Sequence, residues 1–283
     1  MSEMSISIYI LSDNRTAEPD RFACEHGLSV LVQTPSCKVL MDTGASGLFA
    51  VNAEGQGIDL SDVDYVFLSH GHSDHIGGLN AFLDLNGKAK VIVSPEAVSG
   101  RFFSEKGKMH SISSEWPLEQ MQDRIIFVEK SMMIAEGIYV IARIPQTHPL
   151  PLGNRLLSIR RDGDLVPDDF RYELALYMDG LLYTGCAHSG LENVLEACPE
   201  PVHTVIGGFH LLDVDGVHTF ESEEELTALA RRLAGRYPQV TFYTGHCTGS
   251  ESFRIMQTVL GDRLQPFYCG QCWDSKISRA TMR

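Results

Sequence analysis

The pattern of apolar and polar positions predicts strands throughout the first half of the chain. Residues 5–12 alternate polar and apolar side chains, which is the period of a strand with one buried face. The apolar runs at 28–33 and 38–41 are separated by a Thr-Pro-Ser turn signal, so they predict two strands joined by a turn. A third apolar run, at 63–68, predicts a buried strand. Further strands are predicted at 90–93, 125–128 and 137–142.

The second half of the chain alternates strands with helices. Its apolar runs predict strands at 173–178, 181–184, 203–206, 240–243 and 266–269, and its helical periodicity predicts helices at 191–197, 222–233 and 252–259. Helices interleaved with two sets of strands favour two sheets packed face to face with helices outside. The predicted fold class is therefore α/β, a four-layer αβ/βα sandwich.

A long segment between these halves has no clear period. Residues 145–170 contain several prolines, glycines and charges, which predicts a long loop, and long loops in compact enzymes are often lids or binding loops. We expect residues 1–283 to form a single domain with this segment as an active-site loop.

Composition and charge exclude several classes of function. The 283 residues carry a formal net charge of −14 without a cluster of Lys and Arg, which argues against a nucleic-acid partner. The chain lacks an apolar run long enough to span a membrane, and its first residues lack the features of a secretory signal. The seven cysteines are scattered and odd in number, as expected of reduced thiols. We expect a cytoplasmic protein without a membrane partner, and leave the oligomeric state open, a homo-oligomer included.

The strongest candidate chemistry follows the predicted strand at 63–68. His70, His72, Asp74 and His75 fall within six residues, and Gly77-Gly78 then predicts a turn into a helix. Neutral imidazoles and ionised carboxylates are metal ligands, and a strand end followed by a tight turn can direct several of them at one point. The segment predicts a metal site.

Three later histidines occur in similar surroundings. His188, His210 and His246 each follow an apolar strand and lie beside glycine, and strand ends of one sheet share an edge. We expect His188 and His246 to be further metal ligands. For His210 we favour contact with substrate over metal ligation. Cys186 is either a thiolate ligand or a buried thiol, and the sequence leaves both open.

These motifs resemble those of a known superfamily. The pattern His70-x-His72-x-Asp74-His75 resembles the ligand motif of the metallo-β-lactamase-fold hydrolases, and Asp42-Thr43-Gly44 resembles an early motif whose Asp supports the ligand loop. Segments 25–29, 184–190, 207–210 and 245–249 are similar to a subgroup labelled 7,8-dihydropterin-6-methyl-4-(β-D-ribofuranosyl)aminobenzene 5′-phosphate synthase-like.

The resemblance implies a metallo-β-lactamase-like fold and two divalent metal ions per chain, zinc being preferred and manganese or iron the alternatives. It assigns His70, His72 and His188 to one ion, and Asp74, His75 and His246 to the other. The sequence departs from the superfamily at Cys186, where many members have an Asp that bridges the metals.

The leading functional hypothesis is hydrolysis of a small, phosphorylated molecule at this binuclear site. Asp74 and His210 are the predicted catalytic residues: Asp74 accepts a proton from the attacking water, and His210 contacts substrate. The predicted substrate-binding residues are His26, Glu25, His210, Asp169 and Glu173. Asp169 and Glu173 could equally belong to a solvated acidic loop. The alternatives are a pterin-type transferase that forms a carbon–carbon bond, and a metal-binding sensor without turnover.

Overall fold

Two large sheets dominate the structure, a computed structural model that describes residues 3–212, 215 and 218–278. The first sheet has seven strands, which in spatial order are Cys272–Ser278, Glu3–Ser12, Ser29–Gln33, Lys38–Met41, Tyr65–Phe67, Lys90–Val93 and Ile125–Phe127. The second also has seven, in the order Leu264–Pro266, Thr241–Thr244, Thr204–Gly207, Leu181–Tyr183, Ala175–Met178, Ile138–Ile141 and Met132–Ala135.

Helices cover the outer faces of both sheets. The α-helices of the described residues are Leu48–Gly55, Ser73–Ile76, Leu79–Leu85, Pro95–Ser99, Leu118–Met121, Leu191–Glu196, Glu223–Arg236 and Ser250–Leu260. Short 3-10 turns occupy Leu60–Asp62, Leu152–Leu156, His246–Thr248 and Gly261–Arg263. No helix within the described ranges is long and apolar enough to cross a bilayer.

Strand alternation builds the core. In the first strand, Ile6, Ile8 and Ile10 face the second sheet, and they share one buried cluster with Leu176 and Ile206 of that sheet. The opposite face of the same strand packs with the helices that follow it along the chain. A separate cluster joins the second sheet to the three helices of the C-terminal half. These layers confirm the predicted four-layer αβ/βα sandwich.

Parallel pairing determines where the site lies. Lys38–Met41 and Tyr65–Phe67 run parallel in the first sheet, and Leu181–Tyr183, Thr204–Gly207 and Thr241–Thr244 run parallel in the second. The carboxyl ends of parallel strands lie at one edge of a sheet. The segments that carry the candidate ligands leave the sheets at these ends.

The prediction of one long loop at 145–170 is wrong in part. Leu157–Arg161 and Asp164–Pro167 form an antiparallel hairpin, which pairs with Phe102–Ser104 and, through it, His110–Ser111 in a four-stranded third sheet. The turn uses Asp162 and Gly163, both with positive φ. An Asp-Gly pair is a strong hairpin signal because these residues tolerate that backbone region, so the sequence contained evidence for this hairpin.

Gly78 lies where the chain turns beneath the ligand loop. A Cβ at this position would lie 2.1 Å from the Thr43 carbonyl oxygen and 2.4 Å from that of Ser46. We expect Gly78→Ala to lower the free energy of unfolding by about 2–3 kcal/mol, because backbone would have to move. Urea denaturation measures this change, and Gly87→Ala, which meets no atom within 4 Å, is the matched control. Equal stability of the two variants would contradict the expectation.

Candidate metal centre

One buried carboxylate anchors the ligand loop to both sheets. Asp42 accepts hydrogen bonds from the Ser69 backbone N–H (2.8 Å) and hydroxyl (2.6 Å) and from His75 Nδ1 (2.7 Å). The hydroxyl of Tyr183, in the second sheet, is its fourth donor at 2.7 Å. The early Asp therefore fixes the position of the loop and the orientation of one candidate ligand.

The first group of donors comprises His70, His72 and His188, whose ring nitrogens lie within 4.8 Å of one another. The Nε2 atoms of His70 and His188 are buried without a hydrogen-bond partner among the described residues. A buried polar atom without a partner is unfavourable, so a bound cation would satisfy both. The three imidazoles can hold one metal ion.

The second group comprises Asp74, His75 and His246. His75 Nε2 lies 3.1 Å from His246 Nε2, which in turn lies 3.3 Å from Asp74 Oδ2. Ligands on a tetrahedral ion with bonds of about 2.0–2.1 Å are separated by roughly 3.3 Å. These spacings fit three donors around one ion.

Outer hydrogen bonds determine which nitrogen each histidine presents. Ser69 Oγ, Asp42, Asn154 and Asn14 face the Nδ1 atoms of His70, His75, His188 and His246, respectively, at 2.7–3.0 Å. In the neutral imidazole, each Nδ1–H donates to this oxygen, which leaves the Nε2 lone pair for the site. Such outer partners are typical of metal-ligating histidines because they fix the ring and its tautomer.

Burial keeps most of these imidazoles neutral. It holds the pKa values of His70 and His188 well below the usual range, and lowers those of His72 to about 3 and His246 to about 4. Neutral imidazole is the form that binds metal.

The pKa values of Asp74 and His75 do not follow burial, because each of these residues faces a group of opposite charge. Burial raises the pKa of Asp74, but the His75 charge and hydrogen bonds from His246 and His26 outweigh it, so the pKa lies well below its usual value. Burial lowers the pKa of His75, but Asp74 and Asp42 outweigh it and raise the value to about 9. Metal entry must therefore displace a proton from His75.

Two cysteines complete the inner surface. Cys186 Sγ lies 3.2 Å from His75 Nε2 and 3.2 Å from Cys247 Sγ. Cys186 also has donors of both groups within 4.8 Å, so it lies between the two positions. Sequence reasoning missed Cys247, although the adjacent His246 was a usable signal.

His210 and His26 both line the same cavity. His210 is buried, its ring centroid lies 4.2 Å from that of His188, and both of its ring nitrogens lack hydrogen-bond partners within the described ranges. His26 is exposed, accepts a hydrogen bond from Asn14 Nδ2 at Nδ1 (3.1 Å), and directs Nε2 at Asp74 Oδ2 (3.3 Å).

Strained backbone directs several of these side chains inward. Asp42, Ala187, His210 and His246 have φ values between 47° and 55°. This left-handed region is unfavourable by roughly 1–3 kcal/mol for a non-glycine residue, and it is concentrated at functional sites. All four residues lie in segments that leave the strand ends.

Three predicted substrate-binding residues use their carboxylates elsewhere. Glu25 accepts hydrogen bonds from the backbone N–H groups of residues 45 and 46 and from the Ser46 hydroxyl. Glu173 is buried and accepts from the N–H groups of His188 and its neighbour, at 2.7 Å each. Asp169 pairs with Arg161 at 2.6 Å. None of the three lines the cavity, and backbone donors or a guanidinium already pair with their carboxylates.

The asparagines that orient the ligands offer a direct test. We expect Asn154→Ala to weaken binding of one metal ion, through His188, and Asn14→Ala to weaken binding of the other, through His246. The expected loss is about 10–100-fold in affinity, because the ring loses its outer partner. Competition with a metallochromic chelator measures it. Asn14→Asp and Asn154→Asp keep the acceptor oxygen and should retain most of the affinity; unchanged affinity in the alanine variants would exclude the orienting role.

The family model of the metallo-beta-lactamase superfamily matches residues 23–246, and the chain belongs to this superfamily. The sequence is 30% identical over 214 residues to an uncharacterized protein of Methanocaldococcus jannaschii, covering 73% of this chain and 80% of that protein. It is also similar to the 7,8-dihydropterin-6-methyl-4-(beta-D-ribofuranosyl)-aminobenzene-5'-phosphate synthase of the same organism, with 23% identity over 94% of this chain and 96% of that one.

Among solved structures, the chain is similar to a metal-dependent hydrolase of the beta-lactamase superfamily. The TM-score is 0.78 at 29% sequence identity, over 95% of this chain and 98% of that one. These similarities confirm the superfamily that the motifs at His70 and Asp42 predict.

Proposed function

We propose that this protein is a binuclear metal-dependent hydrolase that acts on a small, phosphorylated molecule. The observation that carries the proposal is geometric: His70, His72 and His188 lie close enough to hold one ion, and Asp74, His75 and His246 are spaced to hold another. Members of both groups line a single cavity, together with His210, whose ring nitrogens have no hydrogen-bond partner among the described residues. The proposed ligands of one ion are His70, His72 and His188, and those of the other are Asp74, His75 and His246.

The proposed chemistry divides between the ions and the side chains. Two divalent ions would lower the pKa of an attacking water and offset the negative charge that develops in the transition state. Asp74 lines the cavity, and we give its carboxylate the role of accepting a proton from that water. His210 would donate a hydrogen bond to substrate, since both of its ring nitrogens lack hydrogen-bond partners among the described residues. Zinc suits these imidazole and carboxylate donors.

Charge at the cavity supports a phosphorylated substrate. Lys106 is the sole Lys or Arg among the described residues that line the cavity, in a chain whose net charge is −14. Ser104 and His110 lie beside it in the lining. A cation and hydroxyl donors beside a metal site favour an anionic group such as a phosphate.

The role of Lys106 can be tested by comparison with Lys108, which lies in the same connection between the strands Phe102–Ser104 and His110–Ser111. We expect Lys106→Met to raise KM for a phosphomonoester about 10-fold with little change in kcat, since a charge-assisted contact is worth roughly 1.5–3 kcal/mol and this one is partly solvated. Lys108→Met changes a lysine that does not line the cavity and should behave as wild type. Equal KM values in the two variants would show that Lys106 does not bind the phosphate of the substrate.

The activity itself is tested by loading the purified protein with zinc, manganese or iron and assaying phosphomonoesters, phosphodiesters, thioesters and lactones. Metal-dependent hydrolysis of a phosphoester would support the proposal. Hydrolysis confined to thioesters or lactones would contradict the phosphorylated substrate. No turnover with any metal would favour a metal-binding sensor.

Similarity to the synthase favours a second candidate, a pterin-type transferase that forms a carbon–carbon bond. Incubation with the dihydropterin pyrophosphate and the aminobenzene ribotide separates the two candidates. Pyrophosphate release only when both compounds are present would support the transferase, and hydrolysis of either compound alone would exclude it.

A further inference from the structure

Cys186 and Cys247 form a close pair of thiols at the inner surface of the metal cavity. Their Sγ atoms are 3.2 Å apart, and both side chains are buried from bulk solvent. Cys186 follows the strand Leu181–Tyr183, whereas Cys247 follows Thr241–Thr244, so residues far apart in sequence are brought together. Both still line the cavity, so a small reagent that enters it can reach them.

The separation of 3.2 Å is a non-bonded contact between the two sulfur atoms. A disulfide has an S–S length of about 2.05 Å, so the two sulfur atoms would need to approach by roughly 1.2 Å. The other half-buried or buried cysteines with described sulfur contacts face oxygen or nitrogen instead: Cys37 Sγ contacts Thr34 Oγ1, Cys198 Sγ contacts the Val194 carbonyl, and Cys269 Sγ contacts Asn52 Nδ2.

The pair also lies against the proposed ligands. Cys186 Sγ is 3.2 Å from His75 Nε2, and donors of Cys186, His246 and Cys247 lie within 4.8 Å of one another. A thiolate here is a strong zinc ligand, whereas a disulfide sulfur is not. Joining the two sulfurs would therefore remove a soft donor and pull Cys186 toward Cys247.

We propose that Cys186 and Cys247 are a redox-active pair, which a hydroperoxide oxidises to a disulfide that prevents metal binding at the position of Asp74, His75 and His246. This inference rests on the proposed metal position but not on the identity of the substrate. A metal ion bound there protects the thiols, so the metal-free protein reacts fastest.

The reaction balances with hydrogen peroxide as the oxidant. One thiol gives up its proton as its sulfur attacks a peroxide oxygen, and the O–O bond breaks to give a sulfenic acid and one water that takes up this proton. The second thiol attacks the sulfenic sulfur, the S–S bond forms, and the hydroxyl leaves as a second water. Two thiols lose two electrons and two protons, and one peroxide is reduced to two waters.

Peptide mapping of the full chain tests the proposal without any variant. Metal-free wild type is treated with one equivalent of hydrogen peroxide, alkylated and digested without reductant. We expect a peptide linked through Cys186 and Cys247 that a dithiol reductant separates, and far slower linkage in zinc-loaded protein. Linkage of other cysteines, or sulfinic acid at these two without a disulfide, would overturn the proposal.

Metal stoichiometry supplies the second measurement. After oxidation, zinc bound per chain is expected to fall from about two to about one and to recover on reduction. Cys247→Ser should keep its zinc after peroxide because it cannot form the bond, whereas the matched variant Cys198→Ser should lose zinc as wild type does. Equal zinc loss in both variants would contradict the mechanism. Since neither measurement uses a substrate, failure of the hydrolase proposal leaves this result interpretable.

Discussion

Replacing His188 by alanine is expected to reduce the bound metal from about two ions per chain to about one, and His246→Ala should have the same effect at the other position. Each variant removes one of three protein donors, and an ion that keeps two donors binds far more weakly. Plasma mass spectrometry on protein purified without a metal-affinity tag measures the stoichiometry.

A third histidine provides the matched control for these variants. His110 lines the same cavity, but its Nδ1 faces the carbonyl of Lys108 at 2.8 Å, outside both donor groups. His110→Ala should therefore retain about two ions. Wild type with one ion or none, unchanged by His188→Ala and His246→Ala, would show that the late histidines are not ligands and that the hydrolase proposal lacks its second ion.

Replacing Asp42 by alanine is expected to lower the free energy of unfolding by about 3–5 kcal/mol, the largest stability effect that we predict. The carboxylate is fully buried and accepts four hydrogen bonds, so its removal leaves the donors of Ser69, His75 and Tyr183 without a partner. Chemical denaturation of the metal-free protein measures this effect apart from metal binding.

Two milder changes separate the contribution of one hydrogen bond to Asp42 from the contribution of its negative charge. Tyr183→Phe removes a single donor and should lower stability by about 1 kcal/mol. Asp42→Asn keeps the shape and the left-handed backbone but loses the charge that faces His75, so its effect should be intermediate. A loss in Asp42→Ala no greater than that in Tyr183→Phe would show that Asp42 does not anchor the loop.

The layered fold could be predicted because local patterns contain the information. The alternation at residues 5–12 identifies both faces of the first strand, and the structure pairs Glu3–Ser12 with Ser29–Gln33 as a half-buried sheet strand requires. The helix predicted at 222–233 extends to Arg236, and its start is fixed by a capping box between Ser222 and Glu225. The cluster from His70 to His75 follows its strand within seven residues, so chain geometry alone places these donors together.

Long-range partners could not be predicted in this way. The strand Cys272–Ser278 was missed because its place beside Glu3–Ser12 depends on a chain end 270 residues away. The sequence predicts Glu25 and Glu173 as substrate contacts because both are acidic residues near the site. Only the folded structure shows that backbone N–H groups donate hydrogen bonds to their carboxylates.

The sequence by itself determined most strands and helices of the two large sheets and their order, the superfamily, and the residue types that can bind metal, because periodicity and short spacing are local properties of the chain. The tertiary structure decided which of those residues meet. It brought Asn14 to His246 and Cys186 to Cys247. Such contacts depend on how two sheets pack and on which loops leave their edges, and no short segment of sequence records that packing.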